Sequence, residues 1–101
     1  MSAKRRMIGL DDQLVQNAAE ALGLSSTRDV IAVAVRRHLT SVVEQLLLGG
    51  LEVRPPVLRK QRTIDDKTWD VLAQAGERVP LGQVEILRCC LTLAAREKEA
   101  T

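Results

Sequence analysis

Two stretches of this chain carry nearly the same residues in the same order: Lys4-Arg5-Arg6-Met7-Ile8-Gly9-Leu10-Asp11-Asp12 and Leu58-Arg59-Lys60-Gln61-Arg62-Thr63-Ile64-Asp65-Asp66. Each is a short basic run that ends in an aliphatic residue and a pair of aspartates. Each is followed by a helix-like segment, a loop and a second helix-like segment. Such an echo predicts one supersecondary unit used twice, with 1–50 as the first copy, 51–57 as a connector and 58–101 as the second. In a chain of 101 residues neither copy is large enough to hide its apolar face alone, so the two are expected to share one core.

The first copy opens with an alternation over 5–10 that has the period of a half-buried strand: Ile8 and Leu10 on one side, Arg5, Met7 and Gly9 on the other. Asp11 and Asp12 stop it and set carboxylates where a following helix exposes free N–H groups. That helix is expected from Asp12 to Leu22 on the spacing of Leu14, Val15, Ala18 and Leu22, with Gly23 as its left-handed terminator. Ser26 and Asp29 then read as an Asp variant of the capping box. Paired apolar positions from Val30-Ile31 to Leu46-Leu47 predict one helix over 27–48, ended by Gly49-Gly50. Pro55-Pro56 make the connector extended.

In the second copy a helix is expected from Lys67 to Ala75, with Trp69 as a core plug where ribbon meets helix and Gly76 as the terminator. After the turn Val79-Pro80-Leu81-Gly82, a last helix over 83–97 carries Ile86, Leu87, Cys90, Leu91 and Ala94 in the same paired rhythm. Aligning the Asp pairs gives an offset of 54 residues, and aligning Val30-Ile31 with Ile86-Leu87 gives 56, so the second loop is about two residues longer.

A lone short strand leaves backbone groups unpaired along both edges. The partner of equal length is the other copy's strand. An antiparallel two-stranded ribbon follows, with Ile8, Leu10 and Ile64 toward the helices and Arg5, Met7, Gly9, Arg59, Gln61 and Thr63 outward. Lys60 and Arg62 fall on the core-facing parity. A buried unpaired Arg is costly, so Arg62 must reach water or a carboxylate, or a bulge must re-aim the strand.

Composition narrows what such a fold can do. The chain is 46% apolar with Trp69 as its only aromatic, which argues against single-strand nucleic-acid modules that stack bases on aromatic platforms. The net charge of +2 is small, but Lys4, Arg5, Arg6, Arg59, Lys60 and Arg62 cluster in two windows that the ribbon would unite into a local positive field. Adjacent Cys89 and Cys90 on an apolar helix are expected to be reduced packing residues rather than a disulfide. His38, the one histidine, lies on an apolar stripe without metal-ligand companions and is expected to pack. The Asp pairs have no nucleophile or base arranged for chemistry, so an enzyme, a cofactor and a metal are not expected. No apolar run approaches the ~20 residues that cross a bilayer, and Met1-Ser2-Ala3-Lys4 lacks a secretion signal; a cytoplasmic protein is expected.

The pattern Arg-x-x-Ile-x-Leu-Asp-Asp, a helix, Gly, Ser-Ser-Thr-Arg-Asp and a long helix resembles the ribbon-helix-helix transcriptional repressors and antitoxins. The likeness covers residues 4–41, and a looser match covers 58–95. It implies a mainly α fold with a short two-stranded antiparallel ribbon, here as a tandem strand-helix-helix with a pseudo-two-fold. It also implies sequence-specific binding of double-stranded DNA through the ribbon in the major groove. Carried over by position, Arg5, Met7 and Gly9 with Arg59, Gln61 and Thr63 would face bases, with Lys4 beside them. Ser26 and Thr27, and in the second copy Gly82 and Gln83, would hold phosphate through backbone N–H groups.

The expected function is that of a transcriptional repressor or a plasmid partition or transfer accessory protein, acting at the nucleoid. The alternative is an antitoxin or other interaction module, whose apolar surface of Val42, Val43, Leu46, Leu47 and Leu51 binds a toxin partner or a second copy of the chain. A helix over 27–48 is ~33 Å long, and the connector spans ~30 Å at full stretch. One chain is therefore expected to close its own ribbon, though tautly.

Overall fold

The computed structural model describes the backbone of residues 6–49 and 59–97 and the side chains of 7–49 and 61–97. Along the described chain the elements are β1 (Arg6–Asp11), α1 (Asp12–Leu22), α2 (Thr27–Leu47), β2 (Arg59–Ile64), α3 (Asp66–Gly76) and α4 (Gln83–Arg96). The described residues are mainly helical, with four helices packed beneath a two-stranded antiparallel ribbon. The expected connector 51–57 lies outside the described residues.

β1 and β2 pair within one chain in a continuous register of six: Arg6 with Ile64, Met7 with Thr63, Ile8 with Arg62, Gly9 with Gln61, Leu10 with Lys60 and Asp11 with Arg59. Side chains alternate across a strand, so one face carries Ile8, Leu10 and Ile64, which are 7%, 0% and 1% exposed. These three close the top of a core whose floor is α2 and α4, packed on each other more extensively than any other pair of helices. Ile31, Val42, Ile86, Leu87 and Leu91 are fully buried there. Each contributes about 1.5–3 kcal/mol of apolar burial. Trp69 is half-buried and packs against the margin of this core.

The helix ends differ in how they stop. Gly23 adopts φ 69°, and the following Leu24 N–H donates to Ala19 O at 3.0 Å, the six-to-one bond of a Schellman turn. Gly76, expected to do the same for α3, is instead the last helical residue, and Glu77 beyond it stays right-handed. There the chain tightens through Arg78 N–H to Ala75 O at 3.0 Å. An added Cβ on Gly76 would meet Leu81 O at 3.5 Å and Ile86 Cδ1 at 3.9 Å, ordinary contacts.

Two expectations about helix starts also need correction. Ser26 stands at the N-cap of α2, but among the described residues its hydroxyl makes no cap bond; the first turn is closed by Val30 N–H to Ser26 O at 2.9 Å. Asp11 likewise makes no side-chain cap for α1, because its carboxylate is engaged elsewhere. Asp65 does cap its helix, accepting from Thr68 N–H at 2.8 Å. That bond, more than any nearby charge, holds its carboxyl below the ordinary value, with Arg28 and Lys67 adding to it.

Candidate functional site

The outward face of the ribbon follows from the same alternation that buries the inward one. Met7 is 56% exposed, Gln61 and Thr63 are exposed, and Gly9 is half-buried. Since cross-strand partners share a face, Met7 stands beside Thr63 and Gly9 beside Gln61. Arg59 extends this row in β2 with its backbone paired to Asp11; its side chain, and both Lys4 and Arg5, lie outside the described residues. The structure thus brings four of the expected readers together on one accessible surface.

Below that surface the ribbon is fixed by two ion pairs whose partners lie far apart in the chain. Arg88 on α4 grips Asp11 side-on, Nε donating to Oδ1 at 2.9 Å and Nη2 to Oδ2 at 3.3 Å. The two side chains are 11% and 16% exposed, so the pair is strong and costly to break. Arg62, on the inward parity of β2, donates through Nη2 to Asp12 at the start of α1. Of the alternatives open for Arg62, a carboxylate is the one realised, and no bulge interrupts the described ribbon. Its Nε is buried without a hydrogen-bond partner among the described residues. The signal for the Arg88 pair was present: one cation inside the apolar run Ile86-Leu87-Arg88-Cys89-Cys90-Leu91 demands a carboxylate.

A third lock joins the middle of α2 to the residue that follows α4. Arg37 Nη1 donates to Glu97 Oε1 at 2.7 Å, and His38 Nε2 meets Glu97 Oε2 at 2.6 Å. The bond to His38 first, and the charge of Arg37 after it, hold the Glu97 carboxyl below its ordinary range against the opposing effect of burial. His38 is therefore part of a clamp between α2 and the end of α4 as well as a packed ring.

The two expected phosphate anchors are not alike. At the start of α2, Ser26 is exposed and Thr27 half-buried, with Arg28 exposed beside them. At the start of α4, Gly82 takes the N-cap, and a Cβ there would lie 2.7 Å from Glu85 Oε2. Thus a carboxylate already sits over that helix end, satisfying its dipole and repelling an anion. Gln83 is turned inward, its amide donating to Trp69 O at 3.0 Å. Asp29 lies in the first turn of α2.

The apolar surface expected to take a protein partner is largely absent. Val42 and Val43 are 0% and 3% exposed inside the chain's own core, Leu46 is half-buried against it, and Leu51 lies outside the described residues. What remains is Leu47 and Leu48, 56% and 86% exposed, at the end of α2. The cysteines are buried free thiols, and burial pushes Cys89 up and Cys90 to about 12. Among the described residues no group of three or more His, Cys, Asp or Glu side chains is arranged to hold a metal ion, and no helix is long and apolar enough to cross a membrane.

Comparison of the chain with family models, with curated proteins and with solved structures gives no match.

Proposed function

We propose that the protein is a tandem ribbon-helix-helix DNA-binding protein. It lays the outward face of the β1–β2 ribbon in the major groove of double-stranded DNA, as a transcriptional repressor or a plasmid partition or transfer accessory protein. The observation that carries this reading is the ribbon itself: one face sealed onto the core through Ile8, Leu10 and Ile64, the other exposed and bearing Gln61, Thr63 and Met7. A two-stranded ribbon is of a size that enters the major groove, where a Gln amide can bond adenine N6 and N7 and an Arg can bond guanine O6 and N7.

Two further features support it. The register is the one that a two-fold through the Ile8–Arg62 pair requires, because an offset of 54 turns the Met7–Thr63 pair into the Gln61–Gly9 pair. The start of α2 also keeps Ser26 and Thr27 with Arg28 near β2's end, where a backbone phosphate would lie if the ribbon were in the groove. A protein-binding reading has less behind it, since the core has absorbed Val42 and Val43.

The test is binding of labelled duplex and single strand across a salt series, with Arg59→Ala and Gln61→Ala. The expected result is preference for duplex, a loss in Gln61→Ala confined to particular base positions, and a salt slope reduced by about 1 in any variant that has lost a phosphate contact. Equal binding of both strand forms, or a Gln61→Ala protein indistinguishable from the parent, would overturn the reading.

A further inference from the structure

The pairing register of the ribbon is symmetric about the Ile8–Arg62 pair, but the side chains on its outward face are not. The two-fold through Ile8 and Arg62 exchanges Met7 with Gln61 and Gly9 with Thr63, and each pair differs in chemistry. Cross-strand partners share one axial level, so the difference sorts by end of the ribbon rather than by strand. One end presents Gln61 over Gly9, and the other presents Met7 beside Thr63.

Gly9 sharpens the contrast. The described glycines with a left-handed backbone are Gly23 and Gly49; Gly9 is not one of them, so its conformation does not demand glycine. In the middle of a strand glycine weakens the pairing, and its physical use there is to let another surface approach the backbone. Opposite a bare backbone, the Gln61 amide is free to lie across the ribbon and present both its donor and its acceptor. At the other end, the Met7 thioether and the Thr63 methyl form a mostly apolar pair. It has no bidentate hydrogen-bonding group, and what it fits in a major groove is the thymine methyl.

Resting on the DNA reading above, we infer that a single chain recognises a non-palindromic duplex site. One half is read by the Gln61 amide on adenine at close approach. The other is read by apolar contact of Met7 and Thr63 with thymine methyl groups.

The flanking residues Arg5 and Arg59 already match under the same offset, so two substitutions suffice to make the outward face symmetric. Met7→Gln with Gly9→Thr gives both ends a Gln and a Thr, at exposed or half-exposed positions where Thr suits a strand. Gln61→Met with Thr63→Gly gives both ends the other pair. The experiment is selection of bound duplexes from a random pool by the parent and by both double variants, each first checked for helical content. The parent is expected to enrich a motif without two-fold symmetry. The first variant is expected to enrich a palindrome that repeats the Gln61-dependent half inverted, and the second a different palindrome.

A palindrome selected by the parent, or either folded variant keeping the parental motif, overturns the inference while leaving duplex binding intact. Failure of the parent to retain any duplex is a separate result. It overturns the DNA reading and this inference with it.

Discussion

At the first strand-to-helix junction both carboxylates take an arginine from the second half of the chain, Asp11 from Arg88 and Asp12 from Arg62, with Asp12 also accepting from Gln16 of its own helix. At the second junction Asp65 turns onto the N–H of Thr68, three residues on, and stays local. The residues at the two junctions are the same; the cations around them are not. Aligning the Asp pairs sets Ile8 where Arg62 stands, and aligning the long helices sets Ala32 where Arg88 stands. At the two places that match Arg62 and Arg88 the first half therefore carries Ile8 and Ala32, which have no charge. The packing follows the same sense, for α1 lies more closely on α4 than α3 does on α2. At the first junction, then, cations of the second half hold carboxylates of the first, while at the end of α4 the sense reverses and Arg37 and His38 of the first half hold Glu97.

The strongest way to break this contrast is to remove the cation. Arg88→Ala strands a carboxylate that is 16% exposed and is expected to cost about 2–4 kcal/mol in urea unfolding, less than a fully buried pair because both ends are partly wet. An Arg88→Ala protein as stable as its parent would mean that the side-on pair does not hold the junction. Next comes Arg62→Ile, which installs the residue found at the matching place in β1. It removes a buried Nε without a partner but takes the charge from Asp12, leaving Gln16 Nε2 on that carboxylate at 2.9 Å. A loss of roughly 1–2 kcal/mol is expected for the single change, and recovery to the parental level or above when Asp12→Asn is added; no recovery would point to a role for Arg62 beyond this pair.

The two helix-ending glycines should respond with opposite sign. Gly23→Ala forces a side chain into φ 69° and is expected to cost about 1 kcal/mol. Gly76→Ala replaces a helical glycine where a Cβ makes only ordinary contacts, and a gain of about 0.5–1 kcal/mol is expected. Thermal melts of the pair decide it, and shifts of the same sign would contradict the assignment of the two helix ends.

The smallest effect is read in acid. The folded Asp65 carboxyl titrates below its ordinary 3.8, so its contribution is complete above that pH and is lost as pH falls through the lower folded value. Asp65→Asn keeps an oxygen to accept from Thr68 N–H but does not titrate. Stability at neutral pH should therefore stay within a few tenths of a kcal/mol, while the acid limb below pH 3.8 becomes shallower. An unchanged acid limb would remove Asp65 from the account.

Much of the backbone was legible because its causes are local. The alternation of Ile8 with Leu10, the Asp pairs and the paired aliphatics of the long helices set α1 at its expected bounds and α2 and α4 within one residue of theirs. Gly23 behaved as its neighbours implied, because Leu24 completes the turn. Gly76 did not, since α3 ends on it in right-handed backbone and the chain closes through Glu77 N–H to Gln74 O and Arg78 N–H to Ala75 O, so no left-handed residue is used there. For the ionic contacts the need for a carboxylate at Arg62 and Arg88 was legible, but which carboxylate answers it was not. Arg88 and Asp11 lie 77 positions apart, and nothing in their immediate neighbours says that α4 crosses the end of β1. The same holds for Glu97, whose partners Arg37 and His38 come from the middle of another helix. Val42 and Val43 were misjudged because an apolar stripe does not announce whether its own chain is long enough to cover it.

The measurement that bears most directly on the functional claim is an amide-shift titration of isotope-labelled protein with duplex DNA at low salt. Perturbations are expected to concentrate at Met7, Gly9, Gln61 and Thr63, with Ser26 and Thr27 following. Perturbations gathered around Leu46, Leu47 and Leu48 or along α3, with the ribbon amides unmoved, would contradict it.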